Sequence, residues 1–369
     1  MPRRVSATVD LGAIAHNCRR LAAALAPGAR LGAVVKADGY GHGAVSTAKA
    51  AVGAGAQWLC VAAASEAATL RDGGIGARIL VMGALSPEEL ATAAAADADV
   101  VAWRTGFVER LAGLGRPVRV HVKLDTGMGR LGTRDPEEAQ AVVGAIDAAP
   151  GLEVAGVMTH FATADESGDA FFGEQLERFT PFAASVKARH PDATVHAANS
   201  AAVLRDPASH FDLVRCGIAV YGLDPFQDDP DIRDLRPALT LRSYVADVKP
   251  IAPGESAGYG RKFIAERATR LAVLPVGYGD GWRRALTNNA DVLIGGVRRP
   301  LVGTVSMDNI TVDVGDGPPV APGDEAILVG TQGEERITAE EVARRLGTIN
   351  YEITTGLTAR VPRDDVGAA

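Results

Sequence analysis

Ala33-Val34-Val35-Lys36-Ala37-Asp38-Gly39-Tyr40-Gly41-His42-Gly43 starts as an apolar, strand-like run and breaks abruptly into charge and glycine. The pattern recurs. Short apolar runs stand at residues 33–37, 58–62, 79–82, 100–103, 118–124, 154–159, 194–197 and 212–215, eight in all. Helical patterns separate them. Ser86-Pro87-Glu88-Glu89 offers a cap residue, a first-turn proline and a glutamate at the capping-box position. Asp135-Pro136-Glu137-Glu138 opens the next long helix in the same way. Upstream, Leu11, Ile14, Cys18, Leu21 and Leu25 mark one face of a helix that Asp10 is placed to cap. Strands alternating with helices predict parallel βα units, and eight units predict a closed (β/α)8 TIM-type barrel, a doubly wound open sheet being the alternative.

After about residue 235 the texture changes. Runs at 239–248, 271–276, 292–294, 300–314 and 325–329 are joined by Gly/Pro turns. One helix is expected there, opened by Thr338-Ala339-Glu340-Glu341. The predicted organisation is an α/β barrel over residues 1–235 and a smaller, mostly antiparallel β domain over 236–369. The first few residues are available to pair with that second domain.

Composition narrows the function. The chain has 369 residues, 47% apolar and 22% charged, with net charge −7, so no global positive field exists to hold nucleic acid. Three scattered cysteines, Cys18, Cys60 and Cys216, give neither a disulfide framework nor a zinc site, and no metal is expected. The N-terminal MPRRVSATVD lacks the apolar core of a secretory signal, and no run of 18 uncharged apolar residues could span a membrane. A cytoplasmic location is the expectation.

In a barrel, chemistry gathers where strands finish. Lys36 ends the first run, and a lysine with a lowered pKa forms Schiff bases with carbonyl compounds. The fifth ends in His121-Val122-Lys123-Leu124-Asp125-Thr126-Gly127-Met128-Gly129-Arg130, the sixth in Thr159-His160, the seventh in His196-Ala197-Ala198-Asn199-Ser200, and the eighth in Arg215-Cys216-Gly217-Ile218. The last two sit where barrels commonly hold a phosphate. A Schiff-base lysine, a phosphate cup and cationic strand ends together suggest pyridoxal 5′-phosphate (PLP).

The strings AVVKADGYGHG, KLDTGMGRLG, HAANS, RCGIAVYGL, AGYG, VGYGDG, SMD and INYE resemble, in order, the motifs of the alanine racemase family. That resemblance, running from Val5 to Pro362, implies a PLP-binding barrel with a C-terminal β domain and an amino-acid racemase that supplies D-alanine for peptidoglycan. It implies that Lys36 carries PLP and that Tyr259 is the second catalytic base. Tyr40, Ser200, Gly217, Ile218 and Tyr351 resemble the phosphate contacts, with Asn199 beside them. Arg215 resembles the partner of the pyridine nitrogen, and His160 and His196 the histidines at and behind the ring. Arg130 and Met307 resemble contacts to the substrate carboxylate, Tyr278 with Tyr351 a narrow entrance, and Lys123 a lysine that several members carry as a carbamate. A homodimer with shared active sites is also implied.

The chemistry is coherent in itself. Racemisation needs a sink for the Cα carbanion and a base on each face. Lys36 serves one face, and a phenol, with pKa near ~10, the other. For that phenol to act as a base, cations such as His160 and Arg215 would have to lower its pKa. A broad-specificity or serine racemase is the alternative on this scaffold, and a non-catalytic PLP carrier a remote one.

Overall fold

The computed structural model describes residues 3–315 and 317–367. The chain divides into two compact units, one holding Ile14–Val220 and the other the residues before Ile14 and from Tyr221 onward.

The first strand, β1 (Val5–Asp10), belongs to the second unit. The barrel strands follow: β2 (Arg30–Val34), β3 (Trp58–Val61), β4 (Arg78–Val81), β5 (Ala98–Ala102), β6 (Val118–Lys123), β7 (Leu152–Met158), β8 (Thr194–His196) and β9 (Leu213–Cys216). They pair in parallel in the order β8-β7-β6-β5-β4-β3-β2-β9. Between β8 and β9, Asp212 N–H donates to the Val195 carbonyl at 3.0 Å and Arg215 N–H to the Ala198 carbonyl at 2.9 Å. These bonds join the two ends, so the sheet is a barrel and not an open doubly wound sheet. Every residue of β3 and β5 is buried, as strands covered on both faces require. Helix starts follow the capping chemistry. Asp10 Oδ1 accepts from Ala13 N–H, Asp135 Oδ1 from Glu137 N–H, and Glu89 Oε2 from Ser86 N–H.

The second unit continues with β10 (Leu239–Tyr244), β11 (Asp247–Ile251), β12 (Ser256–Ala257), β13 (Phe263–Ile264), β14 (Thr269–Leu274), β15 (Asp291–Ile294), β16 (Val297–Val302), β17 (Ile310–Asp313), β18 (Glu325–Gln332), β19 (Glu335–Ile337) and β20 (Arg363–Val366). The main sheet runs β11-β14-β17-β16-β15-β18-β10-β1-β20, antiparallel except at β1–β20. The small pair β12–β13 flanks the turn that carries Tyr259.

Four expectations change. The run 239–248 breaks into β10 and β11, and the run 300–314 breaks around the loop that carries Met307. A second helix, Asn350–Thr355, follows the expected Ala339–Leu346. Residues 221–235, read from sequence as barrel, lie in the β unit. Long-range bonds hold them there: Asp224 N–H donates to Glu340 Oε1 at 3.0 Å, and Asn350 Nδ2 to the Asp224 carbonyl at 2.8 Å. Among the described residues no helix is long and apolar enough to cross a membrane.

Candidate active site

Lys36 lies beyond β2, not inside a strand as the run 33–37 suggested. Val35 N–H still reaches the Cys60 carbonyl at 2.9 Å, and then the backbone turns left-handed. Ala37, Asp38, Gly39 and Tyr40 have φ of 53°, 52°, 61° and 51°. For non-glycine residues that conformation costs about 1–2 kcal/mol each. Asp38 Oδ1 accepts from Ala44 N–H at 2.9 Å, and buried His42 donates from Nδ1 to the Tyr40 carbonyl at 3.0 Å. Burial, and then the charge of Arg130, hold the Lys36 ammonium below the usual lysine range, with Glu66 pulling the other way.

Hydroxyls and amides gather at the ends of β8 and β9. Asn199 Oδ1 accepts from Ala202 N–H at 2.9 Å and caps the short helix that Ser200 begins. Ser200 Oγ accepts from Gly217 N–H at 2.9 Å and from Ala219 N–H at 3.4 Å, with buried Ile218 between them. A Cβ on Gly217 would overlap the Tyr40 hydroxyl, so the absent side chain lets that phenol close on the same spot.

Arg215 is buried on the barrel interior and donates in four directions. Nη2 donates to the Thr159 and Ala197 carbonyls at 2.9 and 3.0 Å and to His160 Nδ1 at 3.2 Å; Nη1 donates to His196 Nδ1 at 2.8 Å. Burial brings its pKa down to about 10, leaving it a cation at neutral pH. Burial, then Arg215, pushes both His160 and His196 well below the usual histidine range. This corrects the sequence reading of His160 as a cation: its ring is neutral. Arg215 remains as a cation in the barrel.

Beyond β6, Asp125 organises the glycine loop. Its carboxylate accepts from Gly127 N–H at 3.1 Å and from Gly129 N–H at 3.0 Å, and pairs with Arg134 at 3.3 Å. The next residue, Arg130, is exposed. Buried Lys123 has its pKa lowered to about 8 by burial and then by Arg215 and Arg130.

The β unit carries the other four residues. Tyr259 is 73% exposed on its turn, with its carbonyl accepting from Thr304 Oγ1 at 2.6 Å. Tyr278 N–H donates to the Ser306 carbonyl at 3.1 Å and Gly279 N–H to the Met307 carbonyl at 2.9 Å, so the Tyr278 turn and the Met307 loop form one piece. Both side chains are exposed, whereas Tyr351 is half-buried on the helix Asn350–Thr355.

Sequence reasoning missed Asp99, Asp125 and the role of His121. Asp125 had a legible signal, a carboxylate directly before a glycine-rich strand-end loop. Asp99 had none, because its partners come from the two flanking strands, Arg78 from β4 and Arg119 and His121 from β6.

Ionisable groups collected at the C-terminal strand ends place the chain among the (β/α)8 barrel enzymes. Family models narrow this. Residues 9–225 match the alanine racemase N-terminal domain, and residues 238–364 the C-terminal domain. The chain is 46% identical over 363 residues to the alanine racemase of Symbiobacterium thermophilum, covering 97% of this chain and 96% of that one. It is 43% identical to alanine racemase 1 of Bacillus subtilis, covering 97% and 92%. The structure superposes on alanine racemase from the D-cycloserine producer Streptomyces lavendulae with TM-score 0.94 at 39% identity, covering 100% and 98%. It superposes on the Bacillus anthracis alanine racemase with bound L-Ala-P with TM-score 0.91 at 38% identity, covering 100% and 96%. This chain belongs to the alanine racemase family.

Proposed function

We propose that the protein interconverts L- and D-alanine with PLP held on Lys36, using Lys36 and Tyr259 as the two bases. The observation that carries the reading is an amine of lowered pKa set in one barrel with a donor cradle and a buried arginine.

The residues fit the cofactor. The hydroxyls of Tyr40 and Ser200 and the N–H groups of Gly217 and Ala219 converge on one spot, as a phosphate requires. Tyr351 completes the set by family likeness. When bound, PLP supplies the electron sink that acidifies Cα–H.

The chain's own groups supply the rest. Lys36 Nζ removes or returns the Cα proton on one face, and the Tyr259 hydroxyl does so on the other. Arg215 can only donate, so a ring nitrogen set against it stays unprotonated. His160 and His196, both neutral, fix the guanidinium without adding charge. Arg130 and the Met307 N–H bind the substrate carboxylate. Tyr278 and Tyr351 narrow the entrance, which favours a methyl side chain, since overpacking costs roughly 1–3 kcal/mol. Lys123, carbamylated, braces Arg130 through a charge-assisted hydrogen bond.

We further infer that the active form is a homodimer in which Tyr259 serves the partner's Lys36. Tyr259, Tyr278 and Met307 all lie exposed on the β unit, a surface suited to cover by a second subunit. The three free, buried thiols suit a reducing cytoplasm, where D-alanine is needed for peptidoglycan.

Borohydride reduction should fix the cofactor on the peptide that contains Lys36; label on Lys123 or Lys49 instead sinks the assignment. Mixing Lys36→Ala with Tyr259→Phe chains, with subunit exchange verified, should restore activity if the bases act across the dimer. No recovery would mean that each site uses its own chain's tyrosine. Comparable kcat/KM for alanine and for serine, lysine or arginine would replace the alanine reading with a broader racemase.

A further inference from the structure

The carboxylate of Glu66 holds three backbone N–H groups at once. Oε2 accepts from Ala62 at 2.8 Å and Ala63 at 3.1 Å, and Oε1 accepts from Ala37 at 2.6 Å. The first two contacts cap the helix Ala64–Asp72, as a glutamate in a first turn commonly does. The third is different in kind. Ala37 lies 29 positions earlier, directly after Lys36, and begins the left-handed turn.

The turn has backbone bonds of its own, Gly39 N–H to the Val35 carbonyl at 2.9 Å and Gly43 N–H to the Asp38 carbonyl at 2.8 Å, but none of them takes up the Ala37 N–H, and the turn is strained. Ala37, Asp38 and Tyr40 each carry a positive φ without being glycine, a conformation that crowds the Cβ against the backbone. Asp38 and His42 restrain its far end through Ala44 N–H and the Tyr40 carbonyl. At its near end, the Val35 N–H is tied to the Cys60 carbonyl on β3. The peptide that joins Lys36 to Ala37 is held by Glu66, through a short hydrogen bond to a charged acceptor. The same carboxylate grips the residues just beyond β3, so one side chain ties two adjacent strand ends together.

We propose that Glu66 is a positioning residue for Lys36: it clamps the Lys36–Ala37 peptide to the end of β3, sustains the left-handed turn, and sets a negative charge near the amine. The proposal rests on the reading of Lys36 as the cofactor lysine. Electrostatics support the geometry, because Glu66 opposes the effect of Arg130 and Arg215 on Lys36. A natural control lies one helix further on. Glu89 Oε2 accepts from Ser86 N–H at 2.9 Å in the same capping arrangement on Pro87–Ala95, with no second arm to the lysine turn.

The test uses the full-length chain, with and without PLP, as Glu66→Gln, Glu66→Asp and Glu89→Gln. Amide hydrogen exchange at Ala37 through Tyr40 reads the clamp, and the pH midpoint of Lys36 labelling by an amine-reactive probe reads the charge. Loss of a charge-assisted bond should speed exchange at Ala37 by about 10- to 100-fold in both Glu66 variants. The labelling midpoint should fall by about half a pH unit to one unit in Glu66→Gln and by less in Glu66→Asp, which keeps the charge. Glu89→Gln should alter neither readout while losing a comparable helix cap. Unchanged exchange and midpoint in Glu66→Gln, or equal changes in Glu89→Gln, would reduce Glu66 to a helix cap and overturn the proposal. Should Glu66→Gln not fold, the exchange rate in Glu66→Asp decides. Both readouts in the PLP-free chain are independent of cofactor attachment. A borohydride adduct away from Lys36 would therefore sink the cofactor reading and leave the clamp to be judged on its own.

Discussion

His121 Nδ1 stands 2.8 Å from His196 Nε2, and both rings are fully buried inside the barrel. The two ends of this contact set the direction of every proton in it. Arg215 can only donate, so His196 Nδ1 accepts and its proton sits on Nε2. His121 Nδ1 therefore accepts, and its Nε2–H donates to Asp99 Oδ2 at 2.9 Å. Asp99, which also takes Arg78 at 2.8 Å and Arg119 at 2.6 Å, anchors a polarised chain that ends on the Arg215 guanidinium. Gly156 makes room for it, since a Cβ there would strike the His121 ring.

Asp99→Asn should leave three cationic or donor groups around a neutral amide, at a stability cost of about 3 kcal/mol. Burial alone would raise the carboxyl pKa, but the hydrogen bond from His121 and the bond and charge of Arg78 outweigh it and bring it to about 2. A depressed carboxylate stabilises the fold above its unfolded pKa, and that contribution is lost as pH falls through about 2. Urea titration should show the gap between wild type and variant at pH ~7 shrinking at pH ~3 and below. Nitrogen NMR of His196 should show an Nε2–H tautomer in the wild type. A gap independent of pH would remove Asp99 from this role.

Lys123 should take up carbon dioxide as a carbamate, the neutral amine adding to the carbon and releasing one proton. With its pKa lowered to about 8, the reactive fraction grows as pH rises from about 7 to about 9. Carbon-13 bicarbonate should give a protein-bound carbamate signal that strengthens over this range and is missing in Lys123→Arg. A signal surviving that substitution would assign the carbamate elsewhere.

Gly217→Ala should drive a methyl into the Tyr40 hydroxyl, at roughly 1–3 kcal/mol of strain. PLP affinity should fall by about tenfold or more, as measured by equilibrium titration. Adding Tyr40→Phe should recover part of the stability but not the affinity, because it lessens the clash and deletes a hydroxyl of the proposed phosphate cup. Full additivity of the two substitutions would mean that they do not touch.

Glu340 is the reverse case of Asp99. It is buried in the β unit, where its Oε1 takes Asp224 N–H and Asn350 Nδ2, and burial raises its pKa. A raised carboxyl binds its proton more tightly when folded, so stability declines as pH climbs above the unfolded value of 4.5. Glu340→Gln should keep both acceptor bonds and flatten this decline. Thermal melts should show the variant equal to or more stable than wild type at pH ~8, by up to about 1 kcal/mol. A clear loss there would mean the charge is needed.

Much of the chemistry was legible before the fold was known. Lys36, Lys123, His160, Ser200 and Arg215 each follow an apolar run, and a barrel delivers strand ends to one face whatever the details of packing. Helix starts were equally readable at Asp10, Ser86 and Asp135, because a cap is a contact between near neighbours in the chain. Asp99 was not legible. Its importance comes from Arg78, Arg119 and His121 on the flanking strands, and no local pattern marks a residue whose partners arrive by sheet pairing.

Periodicity and capping residues by themselves determined the alternation of strands and helices, the change of texture into a β domain, and which strand ends carry ionisable groups. Those features depend on spacings of two to four residues, which the chain carries with it when unfolded. Only the tertiary structure decided that the sheet closes, that residues 221–235 join the β unit, that Lys36 stands in a left-handed turn clamped by Glu66, and that His160 is neutral. Each of these depends on desolvation or on hydrogen bonds between groups tens to hundreds of residues apart.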